Sequence, residues 1–358
     1  MLENIYISLL LFLIGGFLFS LIINELLLRF SKSLGIRNKN DVTIRWSNES
    51  KPSLGGISMF STFIFTILLF AVFFTQEELF NNSNFLGLLG ASCLAFLIGI
   101  ADDAYNTQPL LKLLGQISCG LLLIFSGTSI DIFHQEYLDS FFTVVWVVVL
   151  MNSLNMLDNM DGITGTVSLF VLIVCLISFL LFKGLILSYW IVILVSQLGA
   201  LIGFLRYNIN PAKMFMGDTG SQFIGLFVAF FAIDGLWNSS ALLEIPAWSG
   251  VLVVLTAFTP AAVDTLTVVI NRLKKGKSPM VGGKDHTTHH LVYKGKSDFK
   301  VWLIFLFISI SASFLTVVLL IAMKMDYYWI SLLGLLYFVL IFVLLYRNTI
   351  KYKQPQNE

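Results

Sequence analysis

Residues 141–182 read FFTVVWVVVLMNSLNMLDNMDGITGTVSLFVLIVCLISFLLF, two apolar runs parted by NMLDNMDG at 155–162. A membrane-spanning helix needs about 20 predominantly apolar residues, and each run, taken with its neighbours, supplies close to that. The segment between them must leave the bilayer, yet it carries Asn155, Asp158, Asn159 and Asp161 within seven residues. A plain turn requires fewer. The question is whether other polar clusters share its side of the membrane.

The whole chain has the same character. Of 358 residues, 57% are hydrophobic and only 12% charged, with a mean hydropathy of +0.86. Soluble domains are typically about a quarter charged. A soluble enzyme or a nucleic-acid-binding protein is excluded, and an all-α, polytopic integral membrane protein is expected. The first run, 5–28, is preceded by Glu3 and by no Lys or Arg, and it is longer than a cleaved leader's core. It is read as a retained helix. Cys93, Cys119 and Cys175 are odd in number, sit in apolar surroundings and lack metal-ligand spacing, so buried thiols are expected.

Apolar length predicts eleven spans: 5–28, 53–75, 85–101, 110–127, 140–156, 166–182, 185–205, 220–236, 247–270, 301–323 and 327–346. Alternating the connections places 20 of the 22 Lys and Arg on one face, with only Lys183 and Lys324 on the other. Cations favour the cytoplasmic side, which puts the N-terminus outside and the C-terminus inside. The chain is then a single integral membrane domain over 1–358, with a short cytoplasmic tail at 347–358. The carboxylate motifs all fall on the cytoplasmic, cation-rich face.

Four motifs carry the chemistry. IGIADDAYNTQPLLKLLGQ sets Asp102 and Asp103 at the end of the third span and Lys112 at the start of the fourth. Adjacent carboxylates repel unless shared by a cation or donors; a solvated turn, or a cation site with Lys112 reaching a phosphate, both fit. Asn155, Asp158 and Asp161 are spaced by three, so a helical turn presents them on one face, and Gly162 allows close approach of a ligand. KMFMGDTGSQFIG places Asp218 between Gly217 and Gly220 at a helix start, with Thr219 or Ser221 as cap. Helix N-termini bind phosphate, and Asp218 there suits a Mg²⁺ held between it and the phosphate; a simple N-cap is the alternative. GGKDHTTHHLVYKG holds three of the four histidines, His286, His289 and His290, beside Lys284. Pyrophosphate or nucleotide binding, a basic loop that sets topology, and zinc, for which no Cys or Glu lies at helpful spacing, are the competing readings. Asp264 inside the ninth span and Glu25 near the end of the first are further candidates, each equally accounted for by an ion pair.

Together these motifs resemble the polyprenyl-phosphate N-acetylhexosamine-1-phosphate transferases, over the stretch from KPSLGGISMF at Pro52 to His290. The resemblance implies that Asp102, Asp103 and Lys112 are the acidic pair and the phosphate-contacting lysine. It implies that Asn155, Asp158 and Asp161 line the nucleotide-sugar and metal region, with Asp218, supported by Asp158, as the Mg²⁺ ligand. Mn²⁺ is an alternative ion. His289 and His290 match the histidine pair of the last cytoplasmic loop, and Lys284, Gly162, Gly217 and Thr219 complete the substrate-binding set. Eleven spans and KDHTTHH look more like the GlcNAc-1-phosphate branch than the phospho-N-acetylmuramoyl-pentapeptide translocase, although Thr287 departs from the branch's His-x-His-His pattern. The implied activity is transfer of a sugar-1-phosphate from a UDP-N-acetylhexosamine to undecaprenyl or another polyprenyl phosphate, in a bacterial inner membrane, starting a lipid-linked glycan. A homodimer is an open alternative. An ion-coupled transporter is the rival, but transporters place ligands near the bilayer midplane in repeated halves; here no repeat is evident and the carboxylates gather at one interface.

Overall fold

The computed structural model describes residues 5–31, 51–74, 79–184, 188–279 and 282–353. Glu3 and four of the cations used for sidedness, Lys32, Arg37, Lys39 and Arg45, lie outside the described residues. The described chain is helical throughout: α1 (Ile5–Phe30), α2 (Gly55–Phe73), α3 (Ser83–Tyr105), α4 (Pro109–Phe125), α5 (Glu136–Leu157), α6 (Ile163–Lys183) and α7 (Tyr189–Asn208) lead to α8 (Gly217–Ala232), a π turn and the short α9 (Ser239–Leu242). Then follow α10 (Ala247–Ala257), α11 (Thr259–Lys274), α12 (Thr287–Tyr293), α13 (Asp298–Lys324) and α14 (Leu332–Lys351).

Every expected span coincides with a helix or, for the ninth, a bent helix pair, but not every one is long and straight by itself. Among the described residues nine helices are long and apolar enough to cross a membrane, or ten if α10 and α11 form one span bent by 83°. The ninth expected span is broken at Phe258. Pro260 has no N–H to offer the carbonyl of Thr256, so a straight helix cannot continue through it. α4, at 17 residues and about 26 Å, is at the short end of the range for a membrane-spanning helix.

α8 is the axis of the bundle. Its apolar window is 94% buried, against 17% for α1 and 22% for the last span, and α2, α3, α5 and α6 pack around it. Two glycines let its first turn seat between neighbours. A Cβ on Gly56 of α2 would stand 2.2 Å from the Gly220 nitrogen, and one on Gly99 of α3 would stand 2.4 Å from the Thr219 Cα. The strand-like stretch before α2 then runs beside the stretch before α8. Phe215 N–H donates to the Pro52 carbonyl (2.9 Å), and Gly55 and Gly56 donate to Phe215 and Met216 (both 3.1 Å). KPSLGG is therefore the brace that holds MGDTGS at one end of the bundle.

Candidate active site

Lys112 is the hub. Its ammonium donates to Asp102 Oδ2 (2.7 Å), to Asn155 Oδ1 (3.3 Å) and to Asp218 Oδ1 (3.4 Å), joining α4 to the ends of α3, α5 and α8. Asn155 Nδ2 donates to Asp218 Oδ1 and to Ser221 Oγ (2.9 Å). Asp102 is buried and completes its coordination with the Thr107 N–H (2.9 Å) and hydroxyl (2.7 Å). Residues more than 100 positions apart in sequence thus meet at one end of the bundle, where the helix ends supply the polar atoms. The charge-assisted bonds to Lys112 are the stronger kind.

Asp103 has a different task from its neighbour. It accepts the N–H groups of Asp218 (3.1 Å) and Thr219 (2.8 Å) and the Thr219 hydroxyl (2.7 Å). The amides of α8 expected to meet a phosphate are instead capped from α3. The helix start carries no side-chain cap of its own, so the expectation that Thr219 or Ser221 caps it is corrected. Gly217, at φ +75°, makes room for the Asp103 carboxylate, 2.9 Å from where its Cβ would stand.

The NMLDNMDG stretch is only partly helical. α5 ends at Leu157 with Asp158 as its C-cap, so the single helical face expected for Asn155, Asp158 and Asp161 is not formed. Asp161 Oδ2 instead accepts Asn210 Nδ2 (3.0 Å) and the Ala212 N–H (2.9 Å), pinning the segment before α8. The Gly162 N–H donates to Asn208 (3.1 Å) at φ +76°. Asp158 turns toward the carboxylates: burial first, then the charges of Asp218, Asp103 and Asp161, push it up to about 8.

Among the described residues no three His, Cys, Asp or Glu side chains form a ready-made metal cluster. The donors nevertheless suit a hard divalent cation. The charge of Asp218 helps to raise Asp158, and among the described residues Lys112 is the one cation bonded to the group. Mg²⁺ commonly takes one or two carboxylates and fills its remaining positions with water and substrate phosphate.

The histidine segment folds as α12 and packs against this end of the bundle. Asp264, fully buried in α11, accepts the Thr287 N–H (2.8 Å), the Thr287 hydroxyl (2.6 Å) and His286 Nδ1 (2.8 Å). Thr288 donates to Asn159 (2.6 Å), tying α12 directly to NMLDNMDG. Arg272 grips Asp285 through two bonds of 2.8 and 2.7 Å; although burial opposes it, that guanidinium holds Asp285 below the usual carboxylate range. His289 Nδ1 accepts the His286 N–H (3.4 Å), which leaves its proton on Nε2. Burial, with His286 beside it, brings His289 down to about 3, so it is a neutral donor at pH 7. Burial also lowers His290, whose Nδ1 donates to the Tyr352 carbonyl at the end of α14. Lys284 leads into α12, its carbonyl accepting the Tyr293 hydroxyl (3.0 Å). Glu25 makes an exposed pair with Arg29 (3.1 Å).

Sequence reading assigned no role to Thr107, Thr288 or the Arg272–Asp285 pair, and took Ser221 only as a possible cap and Asn159 only as one polar residue of its turn. Thr107, Asn159, Ser221 and Thr288 all stand inside the quoted motifs, but their partners are set by how the helices meet, which spacing does not show.

Fold and site define an all-helical, multi-pass membrane protein with one charged site at one end of its bundle. Residues 85–236 match the family model described as glycosyl transferase family 4, in agreement with the resemblance read from the motifs. The chain is 26% identical over 306 residues to the probable undecaprenyl-phosphate N-acetylglucosaminyl 1-phosphate transferase of Bacillus subtilis (strain 168), covering 82% of this chain and 78% of that one. It is 28% identical over 284 residues to the decaprenyl-phosphate N-acetylglucosaminephosphotransferase of Mycolicibacterium smegmatis, covering 73% and 70%. A phospho-N-acetylmuramoyl-pentapeptide-transferase of Campylobacter jejuni is 32% identical over 217 residues, covering 51% and 60%. The two GlcNAc-1-phosphate relatives align over the larger part of the chain.

Proposed function

We propose that this protein transfers a sugar-1-phosphate, GlcNAc-1-phosphate in first place, from its UDP derivative to a polyprenyl phosphate such as undecaprenyl phosphate, releasing UMP. The observation that carries the reading is Lys112, held by Asp102, Asn155 and Asp218 from three other helices at one end of the bundle. A lipid phosphate cannot leave the bilayer and a UDP group cannot enter it, so the two phosphates can share only an interface. Lys112 stands where both would be neutralised.

The nucleophile is a phosphate monoester whose second pKa lies near 6. It is ionised at neutral pH, so the protein has little proton to remove. Its oxygen attacks the phosphorus that bears the sugar; the phosphoanhydride to UMP breaks and a new one to the lipid forms. One anhydride replaces another, and the reaction runs near equilibrium. Lys112 holds the incoming phosphate against the donor, where positioning lowers the barrier. Asp102 keeps the ammonium in place, and Asp103 fixes the first turn of α8 so that Asp218 faces the gap. His289 and His290 on α12, with Lys284 leading into it, are the residues assigned to the nucleotide side of the site. Mg²⁺, held by Asp218 with Asp158, would supply the positive charge that phosphoryl transfer needs on the donor pyrophosphate.

The basic end of the bundle is taken as cytoplasmic, in a bacterial inner membrane, with a lipid-linked cell-envelope glycan as the product's destination. Single cysteines test the orientation: Glu136→Cys should be labelled from outside intact cells and Lys275→Cys should not. The activity is tested with purified protein, undecaprenyl phosphate and a panel of UDP-sugars that includes UDP-N-acetylmuramoyl-pentapeptide. UMP released with UDP-GlcNAc supports the reading. UDP as primary product means attack at the sugar carbon and overturns it.

A further inference from the structure

One helical turn deeper than Lys112, Asn155 and Asp218 lies a second polar layer on the same three helices. Gln116 follows Lys112 by four residues on α4, Asn152 precedes Asn155 by three on α5, and Gln222 follows Asp218 by four on α8. These offsets each amount to one turn away from the site end. Gln116 and Asn152 exchange amide bonds, Nε2 to Oδ1 at 3.3 Å and Nδ2 to Oε1 at 2.7 Å, and Gln116 Nε2 also donates to Gln222 Oε1 at 2.9 Å. Asn152 Nδ2 reaches back to the Val148 carbonyl (2.8 Å). Gln116 and Gln222 are fully buried, so none of this chemistry is offered to a substrate in solution.

We infer that Gln116, Asn152 and Gln222 are positioning residues, a layer that fixes the rotation of α4, α5 and α8 so that Lys112, Asn155 and Asp218 meet one turn above. Apolar contacts between membrane helices constrain distance more than rotation; hydrogen bonds between side chains constrain both, because each requires one orientation. The arrangement is not the one that best satisfies the amides, since Gln222 Nε2 is buried without a hydrogen-bond partner. Buried polar atoms are almost always satisfied in a core selected for stability alone. Three amides that meet at one level under the site, with one donor left over, place geometry ahead of satisfaction. Gln116 is the centre of the layer, and it shares a helix face with Lys112.

The catalytic part of the test rests on the transfer activity proposed above; the geometric part does not. Gln116→Leu alone would orphan two amides, so the informative variant is the triple Gln116→Leu, Asn152→Leu, Gln222→Leu, which removes donors and acceptors together. Its kcat should fall by roughly tenfold or more, the range that misplacement by about 1 Å produces, while KM for both substrates stays within about twofold. Thr66→Val, which removes the buried Thr66–Ser196 bond of 2.6 Å away from the site, should lower thermal stability and leave kcat unchanged. The geometry is read without turnover by pairing Lys112→Cys with Asp218→Cys and measuring the yield of a short bifunctional thiosulfonate cross-link by peptide mapping. That yield should drop several-fold in the triple-leucine background. Cross-linking unchanged by the three leucines overturns the inference, whether or not the unmodified protein makes UMP. Absence of UMP from the unmodified protein with reduced cross-linking supports the layer and counts against the proposed activity instead.

Discussion

Thr219 gives both its backbone N–H and its hydroxyl to one oxygen of Asp103, at 2.8 and 2.7 Å, while Asp218 gives its N–H to the other at 3.1 Å. Asp103 and Asp218 therefore differ in kind. Asp103 is bound to the backbone that carries Asp218, whereas Asp218 turns its side chain to Lys112 and Asn155. Asp103→Asn should cost about 1–3 kcal/mol of stability, because an amide replaces one acceptor oxygen by a donor facing a donor. Asp218→Asn should leave thermal unfolding nearly unchanged and lower turnover by orders of magnitude. Unfolding curves and UMP release, measured together, check both; equal loss of stability in the two variants contradicts the division of roles.

The pairing of Lys112 with Asp102 gives a second, separable outcome. Their side chains are only 14% and 10% exposed, so removing one partner leaves a charge with little water. Lys112→Met should destabilise by roughly 3–5 kcal/mol. Adding Asp102→Asn should recover much of that stability, because the more buried of the two carboxylates on Lys112 no longer carries an uncompensated charge and Asp218 is 30% exposed, while turnover stays lost. A double variant as unstable as Lys112→Met, in denaturant or heat, would count against the pair as the source of the cost.

His289 sets the acid limb of stability. Its folded pKa is depressed to about 3, chiefly by burial and then by His286, against an unfolded value near 6.5. The unfolded chain takes a proton that the folded chain refuses. Stability is therefore full above pH ~6.5 and is lost as pH falls toward the folded value, by about 2 kcal/mol at pH 5. His289→Gln should flatten the unfolding midpoint between pH 5 and pH 7, while the unmodified protein declines across the same range. An unmodified protein with constant stability down to pH 5 rules out a neutral, buried His289.

The sequence makes some features of this protein plain and hides others, for physical reasons. Apolar length marks where each helix lies, because a bilayer imposes length on every span. It does not reveal a break, such as the 83° between α10 and α11 at Pro260, or how short a helix is, as with the 17 residues of α4. Lys112, Asp102, Asn155 and Asp218 were legible as members of one site because each stands in a polar motif at the end of an apolar run. Their division of labour was not. Asp102 and Asp103 are neighbours in sequence, but successive helical residues point about 100° apart, so one meets Lys112 and the other meets the backbone of α8. Asp161 was grouped with Asn155 by spacing, yet α5 ends at Leu157 and the turn directs it to Ala212. Gln116 and Gln222 stand at or near the ends of quoted motifs without a signal of their own; only their meeting in space gives them meaning.

Asp264 was equally ambiguous in the sequence, either a site carboxylate or half of an ion pair, and its contacts decide what to expect of it. Both oxygens are engaged with the entrance to α12: Oδ1 takes the N–H and hydroxyl of Thr287, and Oδ2 takes His286 Nδ1. A fully buried carboxylate is tolerated only with such partners. α12 has seven residues, too few to hold its shape in isolation, so its orientation depends on what grips its ends. Asp264 grips the start, Asn159 holds Thr288, and the Tyr352 carbonyl holds His290. Asp264→Asn cannot accept from all three donors, and the histidine helix should loosen without displacing Lys112 or Asp218. KM for the nucleotide sugar should then rise about tenfold or more, with KM for the lipid phosphate little changed. Hydrogen exchange at Thr287 and Thr288 should accelerate, while amides in α8 keep their protection. A variant with intact protection in α12 and an unchanged nucleotide KM would show that Asp264 serves only the packing of α11.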